Sequence, residues 1–221
     1  MKIFLDTAVL DEIRTVAEWG ILDGVTTNPT LAAKAGRAFQ ENILAISEMI
    51  GERATVSAET VSLEADAMVR EAKLVTSWAP NVIAKIPCTP EGIKAVWQCT
   101  QAGIPTNVTL VFNATQGLLA MKAGATYVSP FVGRLDDAGQ YGMEVVEQLT
   151  QIKRNYGFTT EVLAASIRHP LHVIEAALAG ADIATMPFTV LMQIVKHPLT
   201  DAGLARFLKD WQAIPPELRP F

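Results

Sequence analysis

Lys85 stands inside the run Val82-Ile83-Ala84-Lys85-Ile86-Pro87, which otherwise reads as a buried β-strand. A lysine in such surroundings is unfavourable unless it has partners or a task. Desolvation disfavours an ammonium, so burial can make a neutral amine available near neutral pH. A neutral amine adds to ketones and aldehydes and forms a Schiff base. The plainer reading is a lysine whose stem is buried and whose head reaches water. Other reactive residue types fall at the ends of similar runs. Asp6 closes the first, Thr26-Thr27-Asn28-Pro29 the second and Ser57-Ala58-Glu59 the third. Further along come Asn107-Val108-Thr109, Ser129-Pro130-Phe131 followed by Arg134, and Ser166-Ile167-Arg168.

The elements that must position these residues are short and regular. Eight β-like runs are expected: Ile3–Asp6, Gly24–Asn28, Ala54–Glu59, Val82–Ile86, Thr106–Val111, Tyr127–Val132, Val162–Ser166 and Ile183–Pro187. Between them the apolar residues recur at helical spacing, as in Ile43, Ile46, Met49 and Ile50, and in Val145, Val146, Leu149 and Ile152. Strand and helix alternating from end to end imply a parallel sheet with crossover helices. Eight such units suggest an α/β fold of the closed (β/α)8 TIM-barrel type, one domain over residues 1–221. A doubly wound open sheet is the alternative. It usually carries a glycine-rich fingerprint after its first strand, where this chain has Asp6-Thr7-Ala8-Val9-Leu10.

In a parallel barrel every C-terminal strand end lies on one face, where sites are built. Seven of the eight expected strands end in residues that a core avoids. Asp6 alone could be a helix N-cap; a ring of acid, amide, amine, hydroxyl and guanidinium is harder to explain by capping. The set suits a carbonyl-lyase or transferase site. Lys85 is the expected nucleophile, and Asp6 and Glu59 are proton-transfer candidates. Asn28, Asn107 and Ser129 suit a polyhydroxylated substrate, whose buried hydroxyls need directional partners. Arg134 and Arg168, with Ser166, suit a terminal phosphate.

Composition narrows the classes. Half of the 221 residues are hydrophobic and 19% are charged, which excludes a disordered chain. A net charge of −5 argues against nucleic acid as the main partner. The two cysteines, Cys88 and Cys99, have no metal-site spacing, and free thiols of a cytoplasmic protein are expected. The opening Met1-Lys2-Ile3-Phe4-Leu5-Asp6 carries charge too early for a secretory leader. No apolar stretch approaches about 20 uninterrupted residues, so no membrane span is expected. His169 and His172 lack an evident third ligand and are expected to be solvated or capping; no metal or organic cofactor is expected. Residues 203–221 read as an additional C-terminal helix and tail. Leu204, Phe207, Leu208 and Trp211 form one apolar stripe that something must cover, either the chain's own barrel or a second copy.

Seven segments together carry a family resemblance. Asp6-Thr-Ala, Gly24-Val-Thr-Thr-Asn-Pro29, Ser57-Ala-Glu59, Lys85-Ile-Pro87, Asn107-Val-Thr-Leu-Val-Phe112, Ser129-Pro-Phe-Val-Gly-Arg134 and Ala165-Ser-Ile-Arg168 resemble the small single-domain transaldolases in order and over nearly the whole chain. The resemblance implies a barrel with its Schiff-base lysine on the fourth strand. It implies transfer of a dihydroxyacetone unit from sedoheptulose 7-phosphate to glyceraldehyde 3-phosphate, within the pentose phosphate pathway. It further implies that Glu59 and Thr109 position a water that shuttles protons, and that the chain assembles as a pentamer or paired pentamers through its C-terminal segment. The related fructose-6-phosphate aldolases have glutamine and tyrosine where this chain has Glu59 and Phe131. Thr30 and Thr60 are mild departures from the family pattern, with substrate preference as the property they could shift. A barrel that binds sugar phosphate without turnover stays open as a third reading.

Overall fold

The computed structural model describes residues 1–221. Eight strands, β1 (Lys2–Asp6), β2 (Gly24–Thr26), β3 (Thr55–Glu59), β4 (Val82–Pro87), β5 (Thr106–Val111), β6 (Tyr127–Pro130), β7 (Glu161–Ala164) and β8 (Ile183–Met186), pair in parallel in chain order. β8 returns to β1 through Ile3↔Ala184 and closes the barrel, which excludes the open sheet. One helix follows β1, α1 (Leu10–Ala17), and two follow β2, α2 (Pro29–Ala35) and α3 (Phe39–Ile50). α4 (Ala65–Thr76), α5 (Pro90–Gln101) and α6 (Ala114–Ala123) follow β3, β4 and β5. α7 (Val132–Asp137) and α8 (Met143–Tyr156) follow β6, α9 (Pro170–Ala179) follows β7, and α10 (Phe188–Ile194) follows β8. α11 (Pro198–Ala213) is additional to this alternation. The stripes expected from spacing do face the core: Ile43 and Ile46 of α3, and Val145, Val146 and Leu149 of α8, are buried. No helix is long and apolar enough to cross a membrane.

Strand alternation divides the core in two. Leu5, Val56, Val82, Ala84, Val128, Val162 and Ala184 face the helices in one large cluster. Phe4, Ile83, Tyr127, Leu163, Ala165 and Ile183 form a separate cluster inside the barrel. Phe4 and Tyr127 meet edge to face, with centroids 6.1 Å apart. Gly24 makes room for them, since a Cβ there would lie 2.5 Å from the Phe4 ring. This apolar layer fills the lower barrel, so any cavity must open above it. Side chains two residues further on share the same side. Asp6, Lys85, Ser129 and Thr185 therefore stand over Phe4, Ile83, Tyr127 and Ile183.

Four strands end earlier than expected, β8 by one residue at Met186, and the early ends of the other three serve the mouth of the barrel. β2 stops at Thr26 because Asn28 caps α2, its Oδ1 accepting the Leu31 N–H at 2.9 Å. β6 stops at Pro130 because Val132 already begins α7, which brings Arg134 into its first turn. β7 stops at Ala164; Ala165 still bridges Phe131, and Ser166 then turns into the left-handed region at φ 59°. That conformation is uncommon for a non-glycine residue and is held by its surroundings. In β5 the register shifts between Val108 and Val111, with Leu110 left-handed at φ 58°. The regular pairing of β4 with β5 runs through Thr109, so Asn107 and Thr109 keep the same side.

No residue of α11 is buried, and Leu204, Phe207 and Leu208 are 58%, 70% and 54% exposed, so the chain's own barrel does not cover the stripe. The tail after α11 folds back on that helix. Phe221 stacks on Trp211 at 5.3 Å, and the Arg219 guanidinium donates to the Ile214 and Gln212 carbonyls.

Candidate active site

A cavity of about 220 Å³ opens above the apolar layer. Asp6, Asn28, Lys85, Ser129, Phe131, Arg134, Ser166 and Arg168 line it together. Of the expected site residues, Glu59, Asn107 and Thr109 are not on its wall; they stand behind it.

Lys85 is only 5% exposed, so it is not a side chain that reaches out into bulk water. Instead Nζ donates to the Thr27 carbonyl at 2.9 Å and lies 3.0 Å from Glu59 Oε2. β2 supplies the carbonyl because Thr27 has just left the sheet, and β3 pairs Glu59 directly with Lys85. Two acceptors occupy two of the three directions in which an ammonium can donate. Removing Glu59 would leave a buried charge uncompensated, the costly case for a buried pair.

Asn107 is fully buried between two hydroxyls. Its Nδ2 donates to Ser57 Oγ at 3.1 Å, and its Oδ1 accepts from Ser129 Oγ at 2.6 Å. Asn107 therefore sets the Ser129 hydroxyl on the cavity wall. The Thr109 hydroxyl is buried and has no hydrogen-bond partner in the chain. Asn28 spends Oδ1 on its capping bond.

Asp6 stands across the site. Its Oδ1 accepts from Thr26 Oγ1 at 2.7 Å, and Thr26 Oγ1 lies 2.6 Å from Thr185 Oγ1. This replaces the N-cap reading of Asp6: α1 starts at Leu10, and its cap residue is Val9. Thr26 and Thr185 are site residues that sequence reasoning passed over. β8 has a polar inward residue after all, and a signal existed: Thr185 follows Ile183 by two, as Lys85 follows Ile83.

On the far side Phe131 meets Phe112 edge to face at 5.8 Å, and the Arg134 guanidinium lies 4.9 Å above the Phe131 ring. Arg168 reaches the same cavity while one of its nitrogens pairs with Asp137 at 3.0 Å. Thr30 is on the cavity wall, whereas Thr60 is turned against the Lys85 carbonyl at 3.3 Å and cannot touch a ligand there. His169 caps α9, as the capping reading expected. His172 is buried, contrary to the solvated reading. The arrangement can present an amine, a carboxylate and two guanidiniums to one small polar molecule.

A family model described as Transaldolase/Fructose-6-phosphate aldolase matches residues 3–218. A probable transaldolase of Herpetosiphon aurantiacus is 60% identical over 215 residues, covering 97% of this chain and 96% of that protein. A probable transaldolase of Aquifex aeolicus is 59% identical, with 97% and 98% covered. One of Caldicellulosiruptor saccharolyticus is 57% identical over 216 residues, with 97% and 99% covered.

Burial pushes the Asp6 carboxyl above the ordinary carboxylate range, against the opposing pull of Lys85, the Thr26 hydroxyl, Arg134 and Arg168. A carboxyl raised in the fold contributes stability when protonated, below pH of about 4, and loses it as pH rises through the folded value. Burial of Asp6 thus opposes folding more at neutral pH than under acidic conditions. Asp6→Asn should raise the thermal midpoint at neutral pH by roughly 2–4 °C and change it little under acidic conditions. Scanning calorimetry at both conditions checks this; an unchanged or lower midpoint at neutral pH contradicts it.

Proposed function

The chain belongs to the transaldolase/fructose-6-phosphate aldolase family, and on that premise we propose that it is a cytoplasmic transaldolase working through a Schiff base at Lys85. It moves a dihydroxyacetone unit from sedoheptulose 7-phosphate to glyceraldehyde 3-phosphate, giving erythrose 4-phosphate and fructose 6-phosphate, in the pentose phosphate pathway. The observation that carries this reading is Lys85 itself: an amine buried at the floor of a polar cavity, with a carboxylate at 3.0 Å to accept its proton.

Lys85 Nζ attacks the C2 carbonyl of the donor. Glu59, with a water held by the otherwise unpartnered Thr109 hydroxyl, moves protons while the carbinolamine loses water and the C2=N bond forms. The iminium is then an electron sink. Asp6 takes the proton from the C4 hydroxyl, the C3–C4 bond breaks, and its electron pair enters the C2–C3 bond of an enamine. C4 leaves as the aldehyde of the released aldose phosphate. Asn28 and Ser129, the latter set by Asn107, hold the enamine hydroxyls. An incoming aldehyde reverses the steps. A general base of this kind is worth about 10²–10⁴-fold.

Transfer, rather than release of dihydroxyacetone, rests on Glu59 and Phe131. Borohydride added with fructose 6-phosphate should trap a three-carbon adduct on the peptide containing Lys85. Erythrose 4-phosphate supplied with fructose 6-phosphate should yield sedoheptulose 7-phosphate. Free dihydroxyacetone as the main product points to an aldolase, and no turnover or adduct to a binding protein.

Arg134 and Arg168, with Ser166, hold the terminal phosphate in this reading. Arg134 rests on Phe131, whereas Arg168 must leave or share Asp137, an exposed pair worth at most about 1 kcal/mol. Arg134→Ala or Arg168→Ala should raise KM for phosphorylated substrates by roughly 10–150-fold. Equal losses on unphosphorylated analogues, measured in steady-state assays, would mean that the arginines do not read phosphate.

The uncovered stripe of α11 supports assembly as a homo-oligomer in which a second copy covers Leu204, Phe207 and Leu208; the copy number, a pentamer or paired pentamers, is what the family resemblance implies. Deleting the residues after Ala202 should lower the mass seen by light scattering. A truncated protein that keeps the mass of the intact one, or an intact protein that is monomeric, rejects this role.

A further inference from the structure

Beside the cavity, and outside the steps just described, lies a buried imidazole with a carboxylate. His172, on the first turn of α9, is 5% exposed. Its Nε2 is 2.8 Å from Oδ2 of Asp136, near the C-terminal end of α7. Its Nδ1 accepts the backbone N–H of Arg168 at 3.3 Å. The other Asp136 oxygen accepts the Gly142 N–H at 2.8 Å. These partners define the tautomer: Nδ1 must be bare to accept, so Nε2 carries the proton that Asp136 receives. Burial, with His169 alongside, holds the imidazole below its ordinary range against Asp136 and Glu175.

The chain of contacts runs from the Arg168 backbone through His172 to Asp136, two residues beyond Arg134. It therefore joins the two segments that carry the guanidiniums. Upstream of Arg134 these segments are already joined, by Val132 N–H to the Ala165 carbonyl and Gly133 N–H to the Ser166 carbonyl, both at 3.0 Å. Gly133 leaves no slack, since a Cβ there would collide with the Ser166 carbonyl and the Arg168 side chain. Ser166 is left-handed, so the backbone leading into Arg168 is not in a conformation it holds unaided. The imidazole ties the Arg168 amide to α7, beside the exposed Asp137 carboxylate that pairs with the Arg168 guanidinium at 3.0 Å from the end of the same helix.

We propose that His172 and Asp136 are positioning residues for the phosphate grip, fixing Arg168 relative to Arg134. The proposal rests on the reading of these arginines as phosphate ligands. Asp136→Asn puts an amide where a carboxylate stood; either it turns a donor toward Nε2 or it gives up the Gly142 N–H. His172→Phe removes both links, and His172→Gln keeps a donor toward Asp136 in the place of Nε2.

The experiment compares KM for a phosphorylated aldose and its unphosphorylated analogue in the intact enzyme, with Arg134→Ala run alongside. Asp136→Asn and His172→Phe should raise KM for the phosphorylated substrate by about tenfold, the scale of one supporting hydrogen bond, with the larger effect on KM than on kcat. His172→Gln should recover part of that loss. A lower thermal midpoint with an unchanged KM ratio would make the pair structural and overturn the proposal. If His172→Phe does not fold, Asp136→Asn, at a side chain 34% exposed, decides by the same ratio. If Arg134→Ala raises KM equally for both substrates, the phosphate reading falls and this proposal with it. If Arg134→Ala raises KM selectively for the phosphorylated substrate and the His172 and Asp136 variants do not, the positioning role alone is lost.

Discussion

A basic nitrogen inside an apolar barrel must be surrounded by acceptors, and everything at the mouth of this barrel follows from meeting that demand for Lys85. A desolvated ion loses several kcal/mol unless its partners are well placed. The partners come from two neighbouring strands. Glu59 is paired with Lys85 in register, and the Thr27 carbonyl is available only because β2 ends at Thr26. The same early end frees Asn28 to cap α2 and present its remaining amide group to the cavity. Beneath, the Phe4–Tyr127 layer keeps the polar groups together by leaving them no space further down.

The polar upper layer is not a set of independent groups. Thr185, Thr26 and Asp6 form one chain, and Ser57, Asn107 and Ser129 form another. Lys85 stands between β3 and β5, which the Asn107–Ser57 hydrogen bond joins within the second of these chains. Buried polar networks of this kind are rigid when satisfied and unfavourable when not. Asp6 illustrates the tension: its burial opposes its charge, while Lys85, Thr26 and both arginines support it. A carboxylate poised between those influences is suited to gaining and losing a proton, at the expense of stability.

The second constraint is spatial. The arginines come from different crossovers, α7 and the segment leading into α9, and neither is held by a strand. Arg134 is supported by an aromatic face and Arg168 by an exposed carboxylate. Their backbones are clamped by hydrogen bonds between residues 132–133 and 165–166 and by the buried imidazole of His172. Loops that carry charge on a barrel mouth need such bracing, because a displacement of about 1 Å at a site can lower rate by about 10²-fold. α11 lies apart from this machinery, with its apolar stripe uncovered.

The amino-acid sequence by itself determined the alternation of strand and helix, the barrel, and the strand ends at which Lys85, Asp6, Glu59, Asn107 and Ser129 lie. These are local properties: period-two and period-3.6 patterns, turn residues, and polar groups out of place in apolar runs. The stripes of α3 and α8 were legible for the same reason. What the pattern could not supply was which strand-end residues face the cavity and which stand behind it. Glu59, Asn107 and Thr109 are one step removed, because the stagger of a closed barrel and the bulge at Leu110 set the height of each side chain. The hydrogen bond between Thr26 and Thr185 was decided only when β8 closed on β1 and brought together hydroxyls 159 residues apart. The pairing of His172 with Asp136, and the exposure of a helix whose spacing said only that something must cover it, were likewise decided by tertiary structure. Contacts between distant segments depend on the path of the chain in space, and no local pattern encodes that path.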